Sequence, residues 1–154
     1  MPDPALQFEQ FNLVAADVAA SVAFYEALGL EFEPSPAEWA SHHRSAVFSD
    51  GVDFDIDSPE FARVWNAGWR DRPGRPSGVV GFRLDSRDAV DARCAALHAA
   101  GYVVQQPPYD TFWGARYAIV EDPDGNAVGL MSPSDPDRRR PPPDPTSWGA
   151  VPDA

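Results

Sequence analysis

Few side chains in this chain have the reach for covalent or metal chemistry. They are three histidines, His42, His43 and His98, and one cysteine, Cys94. Imidazoles act as bases or metal ligands, and thiolates as nucleophiles. His42 and His43 are adjacent. On a strand they would point to opposite faces, so at most one could enter a common site, and the pair reads as surface residues. Cys94 shares a helical stripe with Val90 and Leu97, which marks a buried, inert thiol. His98 on the same helix reads as structural or exposed. A lone Cys also excludes an internal disulfide and any multi-cysteine metal site.

Carboxylates are more plentiful. Asp53, Asp55 and Asp57 alternate with Phe54 and Ile56, so three acids share one strand face, either solvated or forming an acidic wall. Asp55 at the centre is the one candidate general base, crowded by two like charges. Nothing matches a nucleophile elbow, a phosphate-cradling glycine loop or a dinucleotide fingerprint. Trp39, Trp65, Trp69, Tyr109, Phe112 and Trp113 fall in loops or at strand edges. Trp65 and Trp69 are expected to cover the core. Trp39, Phe112 and Trp113 flank strands and could stack on a planar ligand, with acids holding a cationic group. Arg116 is either a ligand contact or a partner of Asp110 or Glu121.

These residues need elements to hold them. The alternation in 7–16 predicts a strand, and Asp17 caps a helix Val18–Leu28 that Gly29 ends. Strands are predicted at 30–33, 44–49 and 52–57, the last two turning at Asp50-Gly51. After the segment 59–77, rich in Arg, Pro and Gly, the pattern restarts. It gives a strand at 79–85, a helix at 87–100 ended by Gly101, a strand at 102–105 stopped by Pro107-Pro108, and strands at 116–120 and 127–131. The two helix-ending glycines lie 72 residues apart and the hairpin glycines Gly51 and Gly125 lie 74 apart. This is an α+β chain with βαβββ written twice. The modules are 1–58 and 78–132. A tail, 133–154, follows with seven prolines, and Trp148 is its expected anchor.

Alternation also assigns faces. Phe11, Leu13 and Ala15 oppose Phe8, Gln10, Asn12 and Val14. Val80, Phe82 and Leu84 oppose Val79, Gly81, Arg83 and Asp85, and Val128 and Leu130 oppose Ala127, Gly129 and Met131. The uniformly apolar sets are expected under the helices. The mixed sets then give one polar, acidic wall and one small, apolar, roomy wall.

The net charge of −12 disfavours nucleic acid and anionic membranes as partners. No apolar run approaches the ~18 residues of a membrane span. The start MPDPALQFEQ has no basic or apolar character of a signal peptide, so a cytoplasmic location is expected.

Asp17, Ser21 through Tyr25 and Leu28-Gly29-Leu30 in the first half, with Trp113 through Tyr117 and Asp122 through Asn126 in the second, resemble the vicinal oxygen chelate superfamily. That superfamily holds glyoxalase I, extradiol dioxygenases and bleomycin resistance proteins. The resemblance, over residues 6–133, implies two modules curving around a groove with helices on the convex face, and a homodimer. It places metal ligands of such enzymes at positions matching Gln10, Asp55, Val79 and Gly129. Val79 and Gly129 offer no donor, and two ligands fall short of the usual three, so no metal and no cofactor are expected. The expected function is therefore binding of a bulky aromatic, cationic small molecule, as in the bleomycin-resistance branch. Its contacts would be Gln10, Asn12, Trp39, Asp53, Asp55, Arg83, Phe112, Trp113 and Met131. The alternatives are a glyoxalase- or dioxygenase-like enzyme, using a metal with help from His42 or His43 or Asp55 as base, and a regulatory module acting through Arg138–Arg140.

Overall fold

Two three-part units, each a strand, a helix and a run of strands, make up the computed structural model, which describes residues 10–65, 67 and 79–142. The elements are β1 (Gln10–Val14), α1 (Val18–Leu28), β2 (His43–Val47), β3 (Asp53–Asp57), α2 (Pro59–Trp65), β4 (Val79–Arg83), α3 (Arg87–Ala99), β5 (Val104–Asp110), β6 (Arg116–Glu121) and β7 (Ala127–Met131). A single 3-10 turn, Pro136–Arg138, follows. The first unit holds the residues before β4 together with the hairpin tip Glu121–Asn126. The second holds Val79–Val120 and the residues after Asn126.

In the first unit the sheet order is β1-β3-β2. β1 runs parallel to β3, Gln10 facing Asp53, and β2 runs antiparallel to β3, His43 facing Asp57. The second sheet, β4-β7-β6-β5, repeats the parallel pairing of first and last strands, with Val79 facing Ala127. The duplication is thus visible as the same pairing in both units.

The helices form where expected. Asp17 accepts a hydrogen bond from the Ala20 N–H at 2.9 Å, and Gly29 closes α1 at φ 117°. Phe54 and Ile56 are buried under α1, and the Tyr25 ring meets Phe54 edge-on at 4.9 Å. Burying each such side chain contributes about 1.5–3 kcal/mol. In the second unit Val90, Cys94 and Leu97 of α3 are buried, as are Val128 and Leu130 of the adjacent sheet.

The tip Glu121–Asn126 is fixed by the buried Asp122. Its carboxylate accepts from the Asp124 and Asn126 N–H groups, the Asn126 side chain and the Tyr25 hydroxyl. Burial, then the Asp122 charge, pushes the Tyr25 phenol well above its usual range.

Three expectations need correction. Residues 30–33 are not a strand. Pro34 and Pro36 interrupt the ladder, leaving the Glu33 N–H on the Ser45 carbonyl at 2.8 Å and the Arg44 guanidinium over the Phe32 ring. β5 is not stopped at Pro107-Pro108 but runs through them. It is an edge strand with register shifts, where prolines are tolerated. The linker holds the unexpected α2, started by Ser58, whose Oγ accepts from the Phe61 N–H at 3.1 Å. The expectations for the Trp65 and Trp69 side chains and for Trp148 lie outside what is described. No helix among the described residues is long and apolar enough to cross a membrane.

Candidate functional site

The first sheet separates its two faces sharply. Phe54, Ile56 and Ala46 face α1, and the opposite face carries Gln10, Asn12, Asp53, Asp55, Asp57, His43 and Ser45. Strand register makes Asn12, Asp57 and His43 near neighbours. The Asn12 side-chain amide donates to Asp57 Oδ2 at 2.9 Å, and His43 Nδ1 lies 2.6 Å from Asp57 Oδ1. Asp57 is 1% exposed, so it is no part of a solvated acid ladder. Asp53 and Asp55 remain half-buried. A carboxylate only accepts, so Nδ1 of His43 carries a proton, and in the neutral ring Nε2 bears the lone pair. The two histidines are tied down rather than free on the surface. His42 Nδ1 sits 2.9 Å from Ser58 Oγ, while His98 is exposed.

Beside this face the first unit opens a cavity of about 420 Å³ lined by Glu38, Trp39, His42, Glu60, Phe61 and Val64. Trp39 meets Phe61 edge-to-face at 5.5 Å, and Phe61 in turn meets the His43 ring at 5.4 Å. Trp39 remains 47% exposed, so its indole is available to a ligand. The Glu60 backbone N–H, then Ser58, hold the Glu60 carboxyl below its usual range. The cavity thus combines two aromatic rings with two carboxylates. Trp39 was anticipated from sequence; Phe61 was not, because it sits in a linker helix with too few residues to show periodicity.

The second sheet turns Val79, Gly81, Arg83, Ala127, Gly129 and Met131 to one face, Arg83 lying opposite Met131. This wall is not roomy at Gly129. A Cβ built there would lie 2.8 Å from the Tyr117 hydroxyl oxygen and 2.9 Å from its ring carbon. The Tyr117 ring fills the space, and burial pushes its phenol up. Tyr117 also joins Trp113 at 6.0 Å and Tyr109 at 6.1 Å, and Phe112 stands edge-on to Trp113 at 5.0 Å. The result is an aromatic row of Phe112, Trp113, Tyr117 and Tyr109. Arg116 does not join it. Its guanidinium binds Asp91 at 2.8 Å and Asp110 at 3.1 Å, and these acids, Asp91 first, raise its pKa. Cys94 is buried and its thiol is pushed up by burial and by Asp91, the opposite of an activated nucleophile.

The four positions that would carry a metal do not fit one. Gln10 and Asp55 share a face of the first sheet. Val79 has an aliphatic side chain, and Tyr117 occupies the place a side chain at 129 would need. Among the described residues no three His, Cys, Asp or Glu side chains converge to hold a metal ion.

The paired sheets with parallel first and last strands are those of the glyoxalase fold, and comparison with known proteins agrees. Residues 7–130 match the model of the Glyoxalase/Bleomycin resistance protein/Dioxygenase superfamily, and the chain belongs to that family. A glyoxalase/bleomycin resistance protein/dioxygenase from Nocardioides is similar over 87% of each chain, with 23% identity and a TM-score of 0.66. A glyoxalase-related enzyme from Fulvimarina pelagi reaches a TM-score of 0.71 at 18% identity, over 84% of this chain and 89% of that one. Lactoylglutathione lyase from Agrobacterium tumefaciens has a TM-score of 0.62 at 20% identity, over 84% and 96%. At such identities the likeness is one of fold. Among curated proteins none matches significantly.

Proposed function

We propose that the protein is a small-molecule binding protein of the bleomycin-resistance type, taking a bulky aromatic ligand that carries a cationic group. One observation carries this reading: the cavity in which Trp39 and Phe61 stand beside Glu38 and Glu60. Aromatic faces attract both planar rings and cations, by about 0.5–2 kcal/mol for a cation, and two carboxylates add an attraction of the same sign. The exposed rings Phe112 and Tyr109 of the second unit offer a further stacking surface.

Titration of Trp fluorescence with a cationic acridine dye tests the reading, with an anionic naphthalene sulfonate as the opposed probe. Saturable binding of the cation is expected, weakened at least tenfold by Trp39→Ala and several-fold by Glu60→Gln. Equal binding of both dyes, or indifference to Trp39→Ala, refutes it. A native mass spectrum of the same sample should show the doubled mass of a homodimer.

A second reading, an enzyme moving a proton, is favoured by the Asn12–Asp57–His43 row. Asp57 fixes the ring, and Nε2 can accept a proton from a substrate; this makes His43 a better base than Asp55. Turnover on a panel of carbon acids, lost in His43→Gln and kept in Asp55→Asn, would establish it.

A further inference from the structure

The prevailing negative charge is locally reversed in the second unit, next to the turn that carries Phe112 and Trp113. In the second unit a cavity of about 310 Å³ is bounded by Arg87 at the start of α3, by the turn Asp110–Ala115, and by Asp137–Arg140. Four arginines line it against two aspartates, in a chain with twice as many acids as bases.

The cavity is held by specific packing. Gly114 has φ 93°, and a Cβ there would overlap the Asp135 carbonyl oxygen. Only glycine lets the segment after β7 come this close. The Asp135 N–H then donates to the Gly114 carbonyl at 3.1 Å, and the Arg140 N–H to the Phe112 carbonyl at 2.8 Å. Arg87 donates to the same Gly114 carbonyl at 3.3 Å and pairs with Asp110.

Guanidinium supply exceeds carboxylate supply. Asp110 Oδ1 already serves both Arg87 and Arg116, and Arg138 pairs with Asp135. Among the described residues, Arg139 and Arg140 have no carboxylate partner; Arg140 instead donates to the Asp110 backbone carbonyl at 2.8 Å. Each guanidinium carries five donors in a planar fork that fits two oxygens of one anion. Crowded guanidinium groups repel, and a small oxyanion between them removes that repulsion while filling the idle donors.

We infer that this cavity is a binding site for a small oxyanion, a phosphate or carboxylate group, held chiefly by Arg139 and Arg140 with Arg87 behind them. The inference does not rest on the function proposed above.

Thermal shift and calorimetry on the full chain test it, with inorganic phosphate and, separately, citrate, each at ionic strength fixed with sodium chloride. The expected result is saturable binding that weakens at least tenfold in Arg139→Gln/Arg140→Gln and is unchanged in Arg63→Gln, which lies outside the cavity. Asp137→Asn removes a competing carboxylate and should tighten binding several-fold, a gain that unfolding cannot imitate. Saturation by phosphate alone assigns a phosphate-bearing ligand; saturation by citrate alone assigns a carboxylate. Responses equal to that of sodium chloride, indifference to the double variant, or binding of duplex DNA without either small anion would overturn the inference.

Discussion

Replacing Gly114 by Ala separates two costs that a left-handed glycine can hide. Gly114 (φ 93°) and Gly125 (φ 80°) share the conformation but differ in surroundings. A Cβ at Gly125 meets nothing within 4 Å, whereas one at Gly114 overlaps the Asp135 carbonyl. Gly125→Ala should therefore cost only the conformational term, about 1–2 kcal/mol. Gly114→Ala adds the displacement of the segment 133–140. That displacement loses the Asp135–Gly114 and Arg140–Phe112 hydrogen bonds, each worth about 0.5–1.5 kcal/mol net. Water replaces part of this at an exposed edge, so the total is about 2–4 kcal/mol. For a chain of this size that is a fall in Tm of roughly 4–16 °C. Urea unfolding gives the energies, and limited proteolysis near Arg138–Arg140 reports the released segment. If the two variants agree within about 0.5 kcal/mol, or the segment stays protected in Gly114→Ala, the close-approach argument is wrong.

Other expectations can be checked alongside. Because the folded state raises the Tyr25 pKa above the ordinary tyrosine value of about 10, its contribution is complete below about pH 10 and is lost as pH rises beyond it. The unfolded chain ionises first, so stability should fall by about 1.4 kcal/mol per pH unit from this group alone. Tyr25→Phe should flatten that alkaline limb, while at neutral pH it costs about 1 kcal/mol because Asp122 keeps its other donors. At the second sheet, Gly129→Ala should destabilise through the Tyr117 ring, and Tyr117→Ala should relieve that loss. A double-mutant cycle with no coupling between them would show that the ring does not fill the site.

Much of the frame was legible in the sequence because it depends on local periods. The stripe Val90, Cys94 and Leu97 and the caps at Asp17 and Gly29 set the helices. The alternation of Phe54 and Ile56 with Asp53 and Asp55 set the sheet faces. The repeat spacing set the two-module plan. The meeting of His43 with Asp57 was one residue out of reach: counting outward from Asp50-Gly51 sets Arg44 opposite Asp57, whereas the turn closes between Phe48 and Val52 and brings His43 there.

Other features are tertiary by nature. The burial of Asp57 depends on three strands meeting, Asn12 from one side and His43 from the other. No pattern along one strand distinguishes it from Asp53 or Asp55. Gly129 looked like open space because sequence shows the missing side chain and not the Tyr117 ring that fills it from a neighbouring strand. Pro107 and Pro108 looked like a stop because their effect depends on whether the strand lies at a sheet edge. The arginine-lined cavity exists only because the segment after β7 folds back onto Gly114. Sequence determined the periods, the turns and the family. Contacts between residues far apart in the chain decided which polar groups are buried, which pockets are filled and where positive charge gathers, since burial and proximity are properties of the packed molecule.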